Sequence, residues 1–331
     1  MKIITTEEHA LIPELNRAVQ KYAGADAPYY GTGLGPGMPY FPDFSVYADV
    51  GQKRIADMDD NGITMQVLSC PIQTQLLPKE EAVAAVADGN DYLAAAICQH
   101  SDRFAGFAAL PWADPEAAAK ELERAVNKLG YKGAVLSGRA SAEEKFLDEQ
   151  KFWPILEAAE ALNVPIYMHP AAPMLKVQKA YYADLDDVVS ARLSLFGWGW
   201  HHEAGLQILR MILAGVFDKF PKLQLLAGHW GEMVPFFLSR LDQALPQSVT
   251  KLDRTITDTF KQNVYVTPSG IFDYPQMKFC VEVLGADRII HSVDFPFIGN
   301  EGALPFIENA PVSEEEKEMI AHGNAEKLLH L

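Results

Sequence analysis

The sequence predicts one α/β domain spanning residues 1–331, folded as a (β/α)8 TIM barrel, on three observations. Short runs rich in β-branched residues recur along the whole chain, and there are eight of them. Segments with apolar residues at helical spacing separate the runs, an alternation that implies parallel strands joined by crossover helices. Neither GxGxxG after the first run nor GxxxxGK[ST] anywhere provides a phosphate cradle, which removes the common nucleotide-binding sheets. A closed barrel is preferred to an open sheet because closure leaves no edge strand to protect.

In chain order the strand runs are 2–8, 63–70, 104–110, 133–138, 164–169, 223–229, 264–270 and 288–294. Helical spacing is clearest over 79–100, 115–129, 148–162, 205–217 and 231–245, each beginning near Pro, Asp or Gly. Two connections, about 10–46 and 171–202, are too long to be turns. Both follow strands and so belong at the C-terminal face of a barrel, where long loops shape a pocket or a subunit contact.

A chain that is 49% hydrophobic and 22% charged can bury a large core. Its formal charge of −16 argues against nucleic acid or an anionic membrane as partner. Cys70, Cys98 and Cys280 form no CxxC pair and read as buried thiols of a reducing compartment. The N-terminus reaches acidic residues too early for a signal peptide, and no stretch has the apolar length of a membrane span, so a cytoplasmic protein is expected.

Polar residues close otherwise apolar runs. Glu7 and His9 lie two apart on the first, and a strand's period turns both toward the same side, here the barrel interior. His169 ends the fifth run, His229 the sixth and Asp294 the eighth. A core strand has no use for an unpartnered titratable group, whose burial costs several kcal/mol or more by order of magnitude, so convergence of these ends at one mouth defines a site. His291 alternates away from Asp294 toward the helix layer, and His201 and His202 are ambiguous at the loop side.

These residues stand in the motifs Thr6-Glu7-Glu8-His9, Met168-His169-Pro170, Gly228-His229-Trp230-Gly231-Glu232, Ser239-Arg240-Leu241-Asp242 and Ser292-Val293-Asp294-Phe295-Pro296. Together they resemble, over nearly the whole chain, the amidohydrolase-related decarboxylases that include the γ-resorcylate, 2,3-dihydroxybenzoate, 5-carboxyvanillate and aminocarboxymuconate semialdehyde enzymes. The resemblance implies that Glu7, His9, His169 and Asp294 bind one divalent ion, with His229 and Glu232 beside it as a polar pair. It also places Arg240 against substrate or a neighbouring subunit, and Phe297 is expected at the substrate too. On the residues alone, Glu232 also fits a carboxylate at a helix N-terminus, and Arg240 a surface partner of Asp242 or Asp218. Glu7 stands where the zinc-dependent branch commonly has histidine, so Mn2+ or Mg2+ is expected before Zn2+.

The implied activity is non-oxidative decarboxylation of a small ortho-hydroxylated aromatic acid, with Asp294 as proton donor and His229, oriented by Glu232, at the substrate. The same donor set also suits a hydrolase of an ester, lactone or C–C bond. A non-catalytic barrel that binds a small acid is the reading the intact ligand set argues against. Where several relatives carry Arg or another polar residue after the His-Pro of the fifth strand, this chain has Ala171-Ala172-Pro173, which leaves the acid's ring substituents open. The aromatic run Phe196-Gly197-Trp198-Gly199-Trp200 and the long loops suggest a homodimer or homotetramer.

Overall fold

The structure, a computed structural model, describes residues 1–23, 43–143 and 145–331. Strands β1 (Ile4–His9), β2 (Met65–Ser69) and β3 (Phe104–Gly106) form one parallel group. Strands β4 (Ala134–Ser137), β5 (Ile166–His169), β6 (Leu225–Ala227) and β7 (Val264–Val266) form a second. A parallel bridge from Ala108 to Ala134 joins the groups on one side.

The eighth segment closes the barrel on the other side without being a regular strand, a departure from the expected run over 288–294. Ile289 bridges Val266, the Ile290 amide donates to the Val266 carbonyl, and the carbonyls of His291 and Phe295 accept from Thr6 and His9 of β1. No continuous ladder forms because the segment's own amides go elsewhere: His291 N to the Ile320 carbonyl, Val293 N and Phe295 N to the Glu8 carboxylate. The ring is therefore complete as a (β/α)8 barrel, with its last member held by scattered backbone bonds together with the Glu8 side chain.

Alternation along the strands sorts the core into two layers. Ile4, Val67, Ala105, Phe107, Val135, Tyr167, Leu226, Tyr265 and Ile290 cluster inside the barrel. Residues one step out of phase, such as Ile166, Met168, Leu225 and Val266, join the larger cluster under the helices. The outer layer is built by α1 (Pro13–Ala23), α2 (Gln52–Asp60), α3 (Lys79–Cys98), α4 (Pro115–Leu129), α5 (Trp153–Leu162), α6 (Gly199–Leu213), α7 (Val234–Ala244), α8 (Ile256–Asn263), α9 (Tyr274–Leu284) and α10 (Ala303–Glu308). Helix α11 (Asn324–Leu329) adds Ala325, Leu328 and Leu329 to the inner cluster.

The two long connections carry helices of their own, and one cysteine departs from expectation. The 10–46 connection contains α1, and its Gly-rich run falls outside the described residues. The 171–202 connection carries short helices at Leu175–Val177, Gln178–Tyr182 and Asp187–Ser194. Cys70 and Cys280 are buried but Cys98 is exposed, because α3 turns Ala82, Val86, Gly89, Asn90 and Leu93 inward and position 98 lies off that face. No described helix is long and apolar enough to cross a membrane.

Candidate active site

A β-bulge aims the first pair. Ile4 points into the barrel, and strict alternation from it would turn Thr6 and Glu8 inward. Between Thr5–Gln66 and Glu8–Leu68, however, Thr6 and Glu7 together oppose Val67 alone. The extra residue shifts the phase, so Glu7 and His9 face the interior and Glu8 faces the eighth segment.

Glu7 is fully buried. Its Oε2 accepts from Thr267 Oγ1 at 3.0 Å and closely from Ser269 Oγ, both just past β7, while Oε1 has no hydrogen-bond partner among the described residues. Gly228 makes room for it: a Cβ there would lie 2.9 Å from both Glu7 oxygens. His9 Nδ1 meets Ser69 Oγ at 3.0 Å, and its Nε2 meets Asp294 Oδ1 at 2.9 Å. His169, at the end of β5, packs edge-on to His9 with ring centroids 4.9 Å apart, and its buried Nδ1 has no hydrogen-bond partner among the described residues. One ligand atom from each of Glu7, His9, His169 and Asp294 lies within 4.8 Å of the other three.

Burial sets the electrostatics of this quartet. It pushes the Glu7 carboxyl up, with His229 opposing and Asp294 adding. It pushes Asp294 up to about 7 against the lowering influence of His229 and His201, and His9 down to about 4. Two carboxyls raised by burial, a Glu7 oxygen without a hydrogen-bond partner among the described residues and the neutral imidazole of His9 fit a divalent cation.

Asp294 has a left-handed backbone, φ 70°, which costs a non-glycine residue on the order of 1–3 kcal/mol unless its surroundings hold it. Glu8 does so by accepting from the amides on either side, Val293 N at 2.9 Å and Phe295 N at 3.0 Å. Burial pushes the Glu8 carboxyl up to about 8 against those two bonds. Buried Arg54 completes the brace: its Nη2 donates to the His9 carbonyl at 2.5 Å and its guanidinium lies 4.8 Å from the centroid of the Phe295 ring.

The segment after β6 departs furthest from expectation. Instead of opening a helix at 231, residues 229–233 all adopt positive φ, 49°, 58°, 79°, 52° and 67°, and the right-handed α7 begins only at Val234. Four of the five are not glycine, so the left-handed turn costs roughly 4–8 kcal/mol by order of magnitude. Its anchors are His229 N to Ser269 Oγ at 2.8 Å, Trp230 N to the Thr267 carbonyl at 2.8 Å and Trp230 Nε1 to the Ile271 carbonyl at 2.9 Å. Helix α6 presses on the turn at Gly205, where a Cβ would come within 2.4 Å of the Glu232 carbonyl oxygen.

This turn puts His229 and Glu232 on one side, with His229 Nδ1 2.9 Å from Glu232 Oε1. Glu232 is therefore no helix N-terminal carboxylate: both its oxygens are held by imidazoles, the second being His201 Nδ1 at 2.8 Å from Oε2. Burial would raise the Glu232 carboxyl, but the two imidazoles outweigh it and leave it below the ordinary range. Burial likewise lowers His229, yet Glu232, Glu7 and Asp294 carry it up to about 10.

Phe297 lines the same mouth, its ring 5.6 Å from His9 and 5.7 Å from Tyr47. Arg240 stands apart on the exposed face of α7, where Nη1 donates to Gln243 Oε1 at 2.7 Å. Asp242 and Asp218 instead accept from the amides of Thr257 and Asp253. His291 is buried between barrel and α10 beside Phe272 and Phe306, with Nε2 against the Ala303 carbonyl. Sequence reasoning left His201 undecided; the signal available was that a buried Glu232 has two oxygens to satisfy and His229 reaches only one.

Two carboxylates and two imidazoles at the C-terminal mouth of a (β/α)8 barrel, with an imidazole–carboxylate pair alongside, define the class of metal-dependent barrel enzymes. Within that class the chain belongs to the family described as Amidohydrolase, which matches residues 50–331. It is 37% identical over 288 residues to decarboxylase orsB of Emericella nidulans, covering 85% of each chain. With the γ-resorcylate decarboxylase of Polaromonas sp. it shares 35% identity over 297 residues, 86% of this chain and 88% of the relative. A solved dihydroxybenzoic acid decarboxylase from Polaromonas, with bound manganese and the inhibitor 2-nitroresorcinol, superposes with a TM-score of 0.86 at 32% identity, covering 100% of this chain and 97% of that one.

Proposed function

We propose that this chain is a metal-dependent, non-oxidative decarboxylase of a small ortho-hydroxylated aromatic acid. One divalent ion, Mn2+ in preference to Mg2+ or Zn2+, is held by Glu7, His9, His169 and Asp294. The observation that carries this reading is the buried quartet, whose Glu7 Oε1 and His169 Nδ1 have no hydrogen-bond partner among the described residues, a polar arrangement that folding alone gives no reason to keep. Two carboxylate donors favour a hard ion, in keeping with the manganese in the Polaromonas structure.

When bound, the ion supplies an electrostatic clamp for the adjacent phenolate and carboxylate oxygens of a hydroxybenzoate. The chain's own residues do the rest. Phe297 and Tyr47 offer aromatic surface at the mouth for the ring. Asp294 donates its proton to the ring carbon that bears the carboxylate. The C–C bond then breaks, its electron pair restores the aromatic ring, carbon dioxide leaves, and Asp294 recovers a proton from solvent. His229, its Nδ1 fixed by Glu232, directs its other ring nitrogen toward substrate.

The proposal includes a homodimer or homotetramer in which Arg240 serves a neighbouring copy. Support comes from the exposed aromatics Trp198, Phe236 and Phe237, the latter two beside Arg240 on α7. The test is incubation of the purified, manganese-loaded chain with 2,6-dihydroxybenzoate, 2,3-dihydroxybenzoate, 5-carboxyvanillate and a simple lactone. Stoichiometric carbon dioxide and the matching phenol are expected from at least one acid. Acid release from the lactone with no carbon dioxide from any substrate overturns the proposal.

A further inference from the structure

We propose that His201 is a positioning residue that holds the Glu232 carboxylate in the orientation His229 needs, and this inference rests on the decarboxylase reading above. Glu232 is buried, and its two oxygens are divided between two rings: Oε1 to His229 Nδ1 at 2.9 Å, Oε2 to His201 Nδ1 at 2.8 Å. An ionised carboxylate only accepts, so each Nδ1 carries its proton toward Glu232. Remove His201 and one oxygen of a buried carboxylate loses the imidazole N–H that donates to it. The group is then free to turn about its last torsion and share its oxygens differently with His229.

His201 is itself held on its far side. Nε2 lies 2.9 Å from Trp200 Nε1 and 2.9 Å from the Phe196 carbonyl oxygen. A neutral ring accepts from the indole N–H, and a protonated ring donates to the carbonyl, so either form keeps Nδ1–H on Glu232. The ring sits 4.3 Å from that of His229. Helix α6, which delivers His201 from its first turn, docks on the Glu232 backbone through Gly205, so the contact is set by the scaffold. The His201–His229–Glu232 group has metal-binding residue types. Each Nδ1 and each carboxylate oxygen is nevertheless taken by a hydrogen bond within the group, and hydrogen bonding rather than ligation is the role the geometry supports.

The test compares His201→Ala, His201→Asn and His201→Gln in the manganese-loaded full chain. Asn places its amide nitrogen near the position of Nδ1 and can still donate to Glu232; Gln carries it on toward Nε2 and cannot. Loss of such an outer partner typically costs 10- to 100-fold in activity. His201→Ala and His201→Gln are therefore expected to lose about that much kcat with little change in KM, and His201→Asn to recover most of it, while all bind one Mn2+ per chain. Independently of any substrate, in protein stripped of Mn2+, whose paramagnetism would broaden nearby proton lines, or loaded with diamagnetic Mg2+, the proton NMR resonance of His229 Nδ1–H should shift in the Ala and Gln variants and stay in place in the Asn variant. Wild-type kcat and an unmoved resonance in His201→Ala, equal deficits in Asn and Gln, or a second bound Mn2+ that disappears on substitution would each overturn the proposal. If no acid is decarboxylated even by the wild type, the resonance still decides the role of His201, and the substrate reading alone has failed.

Discussion

Gly228→Ala isolates the geometry of the quartet from its chemistry. Gly228 does not have a left-handed backbone, so alanine meets no conformational penalty there. All of the effect must come from contact: the new Cβ would stand 2.9 Å from both oxygens of Glu7 and from Ser269 Oγ, where ordinary van der Waals contact begins at 3.4 Å. Ser269 is tied to the His229 amide and to Thr267, so it has little room, and Glu7 must retreat by roughly 0.5 Å. Displacing a metal ligand by its surroundings costs about 10- to 100-fold in metal affinity, or roughly 1.4–2.7 kcal/mol. The assay is titration of EDTA-stripped protein with Mn2+, read by calorimetry and by the loss of the free-ion EPR signal, beside an unfolding curve without metal. Weaker binding with a nearly unchanged metal-free unfolding midpoint is expected. Wild-type affinity in a folded Gly228→Ala protein would refute Glu7 as a ligand in this geometry.

Two further substitutions probe buried charge. Burial holds the His291 imidazole down to about 4, whereas the unfolded chain takes up its proton near 6.5, so the folded state is favoured above pH 6.5 and this contribution fades as pH falls toward 4. The full interval corresponds to about 3 kcal/mol, and His291→Gln, which can still donate to the Ala303 carbonyl, should flatten the pH dependence of metal-free stability between those limits. An unchanged slope would contradict the buried neutral ring. Arg139 and Glu203 pair at 2.7 Å with both side chains almost wholly buried; Arg139→Met should cost about 3–5 kcal/mol in chemical denaturation, and adding Glu203→Gln should return part of it. No loss in the single variant would mean that the pair is solvated.

Much of the site was legible because strand ends announce themselves. His169 is the last residue of an apolar run and does end β5. Glu7 and His9 keep the two-residue spacing that puts both inside. The reason they point inward is a bulge that local spacing does not reveal, since it depends on the register against β2. The spacing predicts Asp294 at the end of a regular strand, yet its segment gives its amides to Glu8 and Ile320 and forms a single isolated bridge, from Ile289 to Val266. Helical spacing over 231–245 suggests a helix start where the chain makes a left-handed turn; such a turn is opposed by local preference at every non-glycine position and exists because Thr267, Ser269 and Ile271, just past the neighbouring strand β7, hold it. His201 escaped for the same reason, its role being fixed by a carboxylate 31 positions away.

The most direct measurement is the carbon dioxide released from a dihydroxybenzoate by metal-stripped protein as Mn2+ is added back. Turnover should be absent at the start and rise linearly to saturate at one ion per chain, and replacing Asp294 by alanine should abolish both uptake and turnover. Full activity in the stripped protein, or one tightly held ion in a folded Asp294→Ala chain that still releases carbon dioxide, would contradict metal-dependent decarboxylation through Asp294.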